Sequence, residues 1–577
     1  MPPGTDFYQL GTLTVVLLLI AFYGGTFLMS MTIGKKNENV DGYMTSNSRV
    51  GFGLSAASMT ATWVWAASFY AAATAGYKYG ISGPIHYGLW GALMILFIYP
   101  FGRRIRKLAP QGRTLAEIMQ ARHGRSSQMM LAGSNLVGST ISLMTNFTAA
   151  GAVVAMLSPL DFIHGVLIAG VGVLSYTLWS GFRASVLTDV AQLVAMMGAA
   201  AIIIPLVFFA AGGTEVFSTG MERLTAEQAN FFSREAILEQ GAPFFVAVLA
   251  YAIGNQTISQ RLFAVREDLI KPTFITATIG YGATVIGLGM LGLLALMIGM
   301  EPAGGDHNNL IPQMASTFLG PVLIGVFFIM VVGSLSSTAD SDLAALSSIV
   351  MTDVYAKNLS RGRIKPKTML WIGRITMVGA TMLGVILASF KLDILGMLVF
   401  VGALWGSLVF PVIASFYWNR VTNRAFTTSV LVSLAFFLVA RFEVLPLTGA
   451  TAFVFEVAAA VGAAVVLGLM TFGFFGQRVG VGVGVVAGLV ALPVFVGFLG
   501  DYPVLLASLT AYGVSAAVCI AMSFRNEDLF DFDLIRQRVT AFDPEPTAQA
   551  EKLLGEPEIV INLKEAECET QLSRPTS

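Results

Sequence analysis

The chain has 577 residues, of which 55% are hydrophobic and only 12% charged. A soluble domain carries about 25% charged residues, so most of this surface does not meet water. Lys plus Arg equals Asp plus Glu, at 34 each, which leaves no charge imbalance to recruit nucleic acid or another charged partner. Cys519 lies in a hydrophobic run and Cys568 in a polar tail, so the two cysteines do not pair. The four histidines show no metal-ligand spacing. No nucleophile–base set or phosphate loop occurs, and nothing points to an enzyme.

A membrane crossing needs about 20 apolar residues. Fifteen spans of that kind follow in order: 10–33, 50–76, 82–101, 128–157, 160–181, 185–211, 242–262, 273–299, 313–353, 368–390, 393–418, 426–445, 450–475, 479–499 and 502–524. The first run has no basic start and no small-residue cleavage site, so it is expected to stay as a span. Basic residues gather in the loops after odd-numbered spans: Lys35, Lys36 and Arg49, then the stretch from Arg103 to Arg125, then Lys357 to Lys367. Lys and Arg mark the cytoplasmic side. The expected topology is therefore a multi-pass protein of the plasma (inner) membrane, N-terminus outside and C-terminus cytoplasmic. The acidic tail from Arg525 lacks apolar periodicity and is expected to be mostly disordered.

Polar groups inside a membrane are costly and mark a transported path. The second span has Ala61-Thr62-Trp63-Val64-Trp65-Ala66-Ala67-Ser68 at its middle, and the seventh has Tyr251-Ala252-Ile253-Gly254-Asn255-Gln256-Thr257-Ile258-Ser259-Gln260-Arg261. Both lack strong helix formers at mid-depth and lie five spans apart. Broken helices at matching places in two inverted repeats form transporter binding sites; ordinary small-residue packing is the alternative. On this reading spans 2–6 and 7–11 are the repeats. The ninth span carries Ser334, Ser337, Thr338 and Ser341 within an arc of about 100°, with Asp342 one turn beyond Thr338 and Asp340 between. Such a stripe offers hard oxygen ligands to a small cation. Asp189, near the start of the sixth span, fits an N-cap partner, or else a way-station for the ion.

These motifs resemble the sodium:solute symporter family. The likeness covers spans 2 to 11 and includes Thr188-Asp189-Val190, Asn255-Gln256 with Gln260-Arg261, and the ninth span with its ending at Asp353-Val354-Tyr355. It implies an all-α integral membrane protein with a LeuT-type 5+5 inverted repeat and about fifteen transmembrane helices. The implied divisions are an N-terminal extra helix (1–49), a transporter core (50–418, with repeats at 50–211 and 242–418), accessory helices (419–524) and the tail (525–577). The resemblance implies a sodium site made of the backbone carbonyls of Ala61, Val64 and Ser334 and the hydroxyls of Ser337 and Thr338. Asp189, Asp340 and Asp342 would line the ion pathway, and no cofactor beyond the coupling ion, sodium or a proton, is implied. Trp63 stands where the family often has a polar residue. Tyr87, beside His86, stands where a sugar-transporting member has a carboxylate, which argues against a sugar.

The stretch Ala75-Gly76-Tyr77-Lys78-Tyr79-Gly80-Ile81-Ser82-Gly83-Pro84, with Ala109-Pro110, Thr114 and Glu117-Ile118 further on, is similar to the urea-transporting branch. Asp340 and Asp342 depart from that branch. The expected substrate residues are Trp63, Trp65, Tyr87, His86, Asn255 and Gln256. Two indoles restrict size, and amides offer both donors and acceptors. No Arg is expected at mid-depth, where a carboxylate substrate would call for its fork. The reading is cation-coupled symport of a small polar solute, urea first. Amino acids and short monocarboxylates are the runner-up. A transporter-like sensor is the third reading, although the tail is too short for a kinase.

Overall fold

Hydrophobic runs of membrane length are forced into helices, because a bilayer leaves no water for unpaired backbone groups. The computed structural model describes residues 8–33, 38–360 and 364–542. Lys35, Lys36, Arg361, Arg363, Cys568 and the tail beyond Phe542 lie outside these residues. The crossing helices are α1 (Thr12–Met31), the pair α2 (Phe52–Trp63) and α3 (Ala66–Tyr79), and α4 (Ser82–Leu108). A short helix α5 (Leu115–His123) precedes α6 (Arg125–Leu157), α7 (Phe162–Ser180) and α8 (Phe182–Ala210). A second pair, α9 (Ala242–Gly254) and α10 (Gln256–Ala264), leads to α11 (Ile270–Met297) and α12 (Pro321–Ile349), which continues as a π-helical turn over Val350–Leu359. Then come α13 (Pro366–Ala388), α14 (Ile394–Tyr417), α15 (Asn423–Arg441), α16 (Ala450–Phe475), α17 (Gln477–Phe495) and α18 (Pro503–Ser523).

Fourteen helices among the described residues have the length and apolarity to cross a membrane. The α2–α3 crossing is not one of them, because its halves are only 12 and 14 residues long. It completes the fifteen expected spans. The ninth span begins later than expected, at Pro321 rather than 313. Residues Leu310–Phe318 form a separate short helix, and Pro321, with no N–H to donate, starts the next.

The halves α2 and α10 start and end at the basic end of the molecule and are stapled there. Val50 N–H donates to Ala264 O at 3.0 Å and Arg266 N–H to Val50 O at 3.2 Å. Close helix contact around them depends on missing side chains. A Cβ on Gly292 of α11 would sit 1.9 Å from the Ala73 carbonyl of α3. Trp405 of α14 fills the space left by Gly138 of α6 and Gly254 of α9, with its indole donating to Ser134 O at 3.3 Å. Small residues thus let α3 and α11 approach to backbone distance and let the Trp405 indole seat between α6 and α9.

Residues 525–542, expected to be disordered, instead pack across the basic end. Phe530 and Phe542 cover the guanidiniums of Arg122 and Arg113 at 4.1 and 3.8 Å, and Arg113 also donates to Thr540 O at 2.7 Å. Cation–π contacts supply an order that apolar periodicity does not report.

Candidate functional site

The break between α2 and α3 falls at Val64 (φ −78°, ψ 58°) and Trp65 (φ −82°, ψ 153°). Thr62-Trp63-Val64-Trp65 combines β-branched and aromatic residues, which lose rotamer freedom in a helix. The break leaves carbonyls of the last α2 turn without helical partners. Helix α12 supplies them: Ser334 Oγ donates to Val64 O at 2.5 Å and Thr338 Oγ1 to Thr62 O at 2.9 Å. Ala61, in the same turn, is fully buried. Val64, Ser334 and Thr338 are therefore brought together, while Ser337 donates to Asp189.

Asp189 is not an N-cap. Helix α8 starts at Phe182, after Gly181 with φ +57°, so Asp189 lies two turns inside it. Its carboxylate is fully buried and accepts from Ser58 Oγ at 2.6 Å and from Arg261 Nη2 at 3.1 Å. The same Arg261 nitrogen donates to Ser341 Oγ at 2.6 Å. Arg261 is 4% exposed, under two turns from the α9–α10 break toward the basic end. Its signal was one acid and one base in otherwise uncharged spans, a combination that favours burial as a pair.

The two carboxylates of α12, expected to line one ion pathway, separate, because residues two apart on a helix point to nearly opposite sides. Asp340 faces α7 and α8, accepting from Ser185 Oγ at 2.6 Å and Tyr176 Oη at 2.7 Å. Asp342 faces α6 and accepts from Ser142 Oγ at 2.6 Å. Asp353, past the end of α12, takes Thr114 and Gln128 at 2.7 and 2.8 Å.

The second break is a single residue, Asn255 (φ −106°, ψ 115°). Its Oδ1 caps α10 by accepting from Thr257 N at 2.9 Å and Thr257 Oγ1 at 2.6 Å. Gln256 is held by the α5 loop: Nε2 donates to Arg113 O at 2.8 Å and Oε1 accepts from Leu115 N at 3.4 Å. Trp63 and Trp65 are buried at the first break. Tyr87 stacks on Phe244 at 4.6 Å, and its hydroxyl lies in a group with those of Tyr281 and Ser68. His86 is one residue away but engaged elsewhere. Trp90 Nε1 donates to its Nδ1 at 3.2 Å, and the ring lies against Gly241 before α9. Ser68 and Tyr281 were not singled out in the sequence. An isolated Ser and Tyr in apolar helices carry no pattern of their own.

The family model of the sodium:solute symporter family matches residues 43–431. The chain belongs to this family. It is 22% identical over 457 residues to a probable urea active transporter 1 of Schizosaccharomyces pombe, an alignment covering 73% of this chain and 67% of that one. It is 24% identical over 447 residues to the sodium/pantothenate symporter of Escherichia coli, covering 73% and 89%. A substrate-bound, outward-open Na+-coupled sialic acid symporter superposes with a TM-score of 0.63 at 17% identity, covering 84% of this chain and 98% of that one. The fold of this family member is thus the LeuT-type inverted repeat, and the protein is a multi-pass integral membrane protein.

Proposed function

We propose that the protein is a sodium-coupled symporter of a small polar solute, with urea as the leading substrate. One observation carries the coupling site: Ser334 and Thr338 donate to carbonyls of the α2–α3 break. A sodium ion seated there takes hard oxygen ligands from Ala61 O, Val64 O, Ser334 O, Ser337 Oγ and Thr338 Oγ1. Those hydroxyls turn from donating hydrogen bonds to presenting lone pairs. Binding then ties α12 to the broken helix, so ion and solute report on the same joint. Asp189, with Asp340 on the same flank of α12, passes the ion onward once Ser337 and Arg261 release it, while Asp342 lies off this route on the α6 side.

The basic end is the cytoplasmic one, which puts the N-terminus outside and the C-terminal segment inside the plasma (inner) membrane. The repeats are 50–211 and 242–418, flanked by an extra helix at 1–49, accessory helices at 419–524 and the tail at 525–577. The solute lies among Trp63, Trp65, Tyr87 and Asn255, with Ser68 and Tyr281 adding hydroxyls and His86 and Gln256 at the margins. Neutral donors and acceptors of this kind suit urea, and the urea-transporter relative points the same way.

A second reading has its own support. The first amides of α3 have no side-chain cap, and a helix N-terminus of that sort receives an anion. It would hold the carboxylate of an amino acid or short monocarboxylate. Uptake of radiolabelled urea, proline and acetate into proteoliposomes, with and without an inward sodium gradient, tests both readings. Binding without gradient-driven accumulation of any solute would leave a sensor in place of a symporter.

A further inference from the structure

Three carboxylates are buried in or against α12, and one guanidinium lies among them. Asp189 has Arg261, and Asp340 has hydroxyl donors from Tyr176 and Ser185. Asp342 is different. It is fully buried, Ser142 donates to one oxygen, and Oδ1 has no hydrogen-bond partner among the described residues. Among the described residues the cation whose charge reaches it is Arg261, which is spent on Asp189.

Helix α6 turns a polar stripe toward this carboxylate. Asn135, Ser139, Ser142 and Asn146 follow one another at steps of four, three and four residues, which keeps them within about 60° of one helix face. None is more than 5% exposed. The Ser139 hydroxyl lies against Asp342, just short of hydrogen-bond geometry. Ser139 Oγ, both polar atoms of Asn135 and Asn146 Oδ1 have no partner among the described residues, and Asn146 Nδ2 is tied back to Ser142 O at 2.9 Å. Buried polar atoms are nearly always paired, so a run of unpaired ones along a single interface is a specific feature. The set is rich in oxygen and built around an unneutralised carboxylate, the arrangement a hard cation needs. A buried carboxylate without such a partner is strongly penalised.

We propose that Asp342, with Ser139 and Ser142, forms a second monovalent-cation site on the α6 side of α12, apart from the site at the α2–α3 break. The proposal rests on the reading of the chain as cation-coupled. The chemistry is one unit of positive charge on a carboxylate oxygen, brought by Na+ or by H+. Asn135 extends the stripe one turn toward the basic end, where Gln128 of the same helix engages Asp353. The charged neighbours among the described residues are Arg261 on α10 and Asp340 two residues away on the opposite side of α12.

The test uses full-length protein in nanodiscs without solute. Equilibrium binding of radioactive sodium and proton uptake by a pH indicator are measured for wild type, Asp342→Asn, Ser139→Ala and Thr338→Ala. Asp342→Asn should lose one cation per molecule while the Thr338-dependent sodium stays. Loss in the sodium arm identifies Na+, and loss in the indicator arm identifies H+. Ser139→Ala should weaken the same cation at least about tenfold, and this variant carries the test if Asp342→Asn does not fold. Unchanged sodium and proton counts in Asp342→Asn, or unchanged affinity in Ser139→Ala, overturn the proposal. If Thr338→Ala keeps all its sodium while Asp342→Asn loses one cation, the helix-break reading fails and this one stands.

Discussion

Truncating Arg261 would leave Asp189 buried with hydroxyl donors and no counter-charge. Breaking one side of a buried ion pair costs about 3–5 kcal/mol, so Arg261→Ala should fold poorly. Arg261→Ala combined with Asp189→Asn should recover much of the loss, and thermal unfolding in detergent would show whether it does. Asp189→Asn alone strands Arg261 and should also lower the folded fraction, but per folded molecule it should slow turnover while leaving equilibrium solute binding nearly intact, whereas a residue of purely structural importance would leave both unchanged per folded molecule. Thr338→Ala should raise the sodium concentration for half-maximal uptake far more than it changes expression. An unaltered sodium dependence would place the ion elsewhere. At this scale the sequence was partly legible. The α12 stripe at 334, 337, 338 and 341 is visible because helical periodicity groups the residues. The pairing of Asp189 with Arg261, 72 residues apart, depends on tertiary packing that no local pattern encodes.

At the scale of single elements, the hydrophobic spans and the α2–α3 break were legible from apolar length and from the scarcity of helix formers around Val64. The docking of residues 525–542 was not. It depends on Phe530 and Phe542 meeting Arg122 and Arg113, and those partners are far apart in the chain. Helix α5 is the surface that receives this segment. Its last residue, His123, makes a 2.7 Å hydrogen bond with Ser415 of α14. Burial, and then the neighbouring Arg122 charge, push His123 from the ordinary 6.5 down to about 2. The unfolded chain therefore binds the proton first as pH falls. The contribution of His123 is fully present above pH 6.5 and is lost as pH drops below it, by at most about 1.4 kcal/mol per pH unit. The melting temperature of His123→Gln should fall less steeply between pH 6.5 and 5 than that of the wild type. Parallel slopes would mean that the ring is already solvated.

For the whole molecule, moving a solute across the membrane requires the two broken helices to part at one end while staying together at the other. In this structure the basic ends of α2 and α10 are held together by the Val50–Val265 bridge, with Arg261 linking both helices to α8 and α12. A proposed exit toward that end must break those bonds, so the bridge is a direct place to test alternating access. Residues paired across such a bridge have Cα atoms within the range a disulfide spans. Val50→Cys with Val265→Cys, in a background without Cys519 and Cys568, should oxidise readily. The cross-linked protein should still bind sodium at the α2–α3 break, because that site lies above the bridge, yet sodium-driven uptake should stop. Reduction should restore uptake, and each single cysteine should transport normally under oxidant. Full transport with the disulfide formed would mean that these ends do not separate in the cycle.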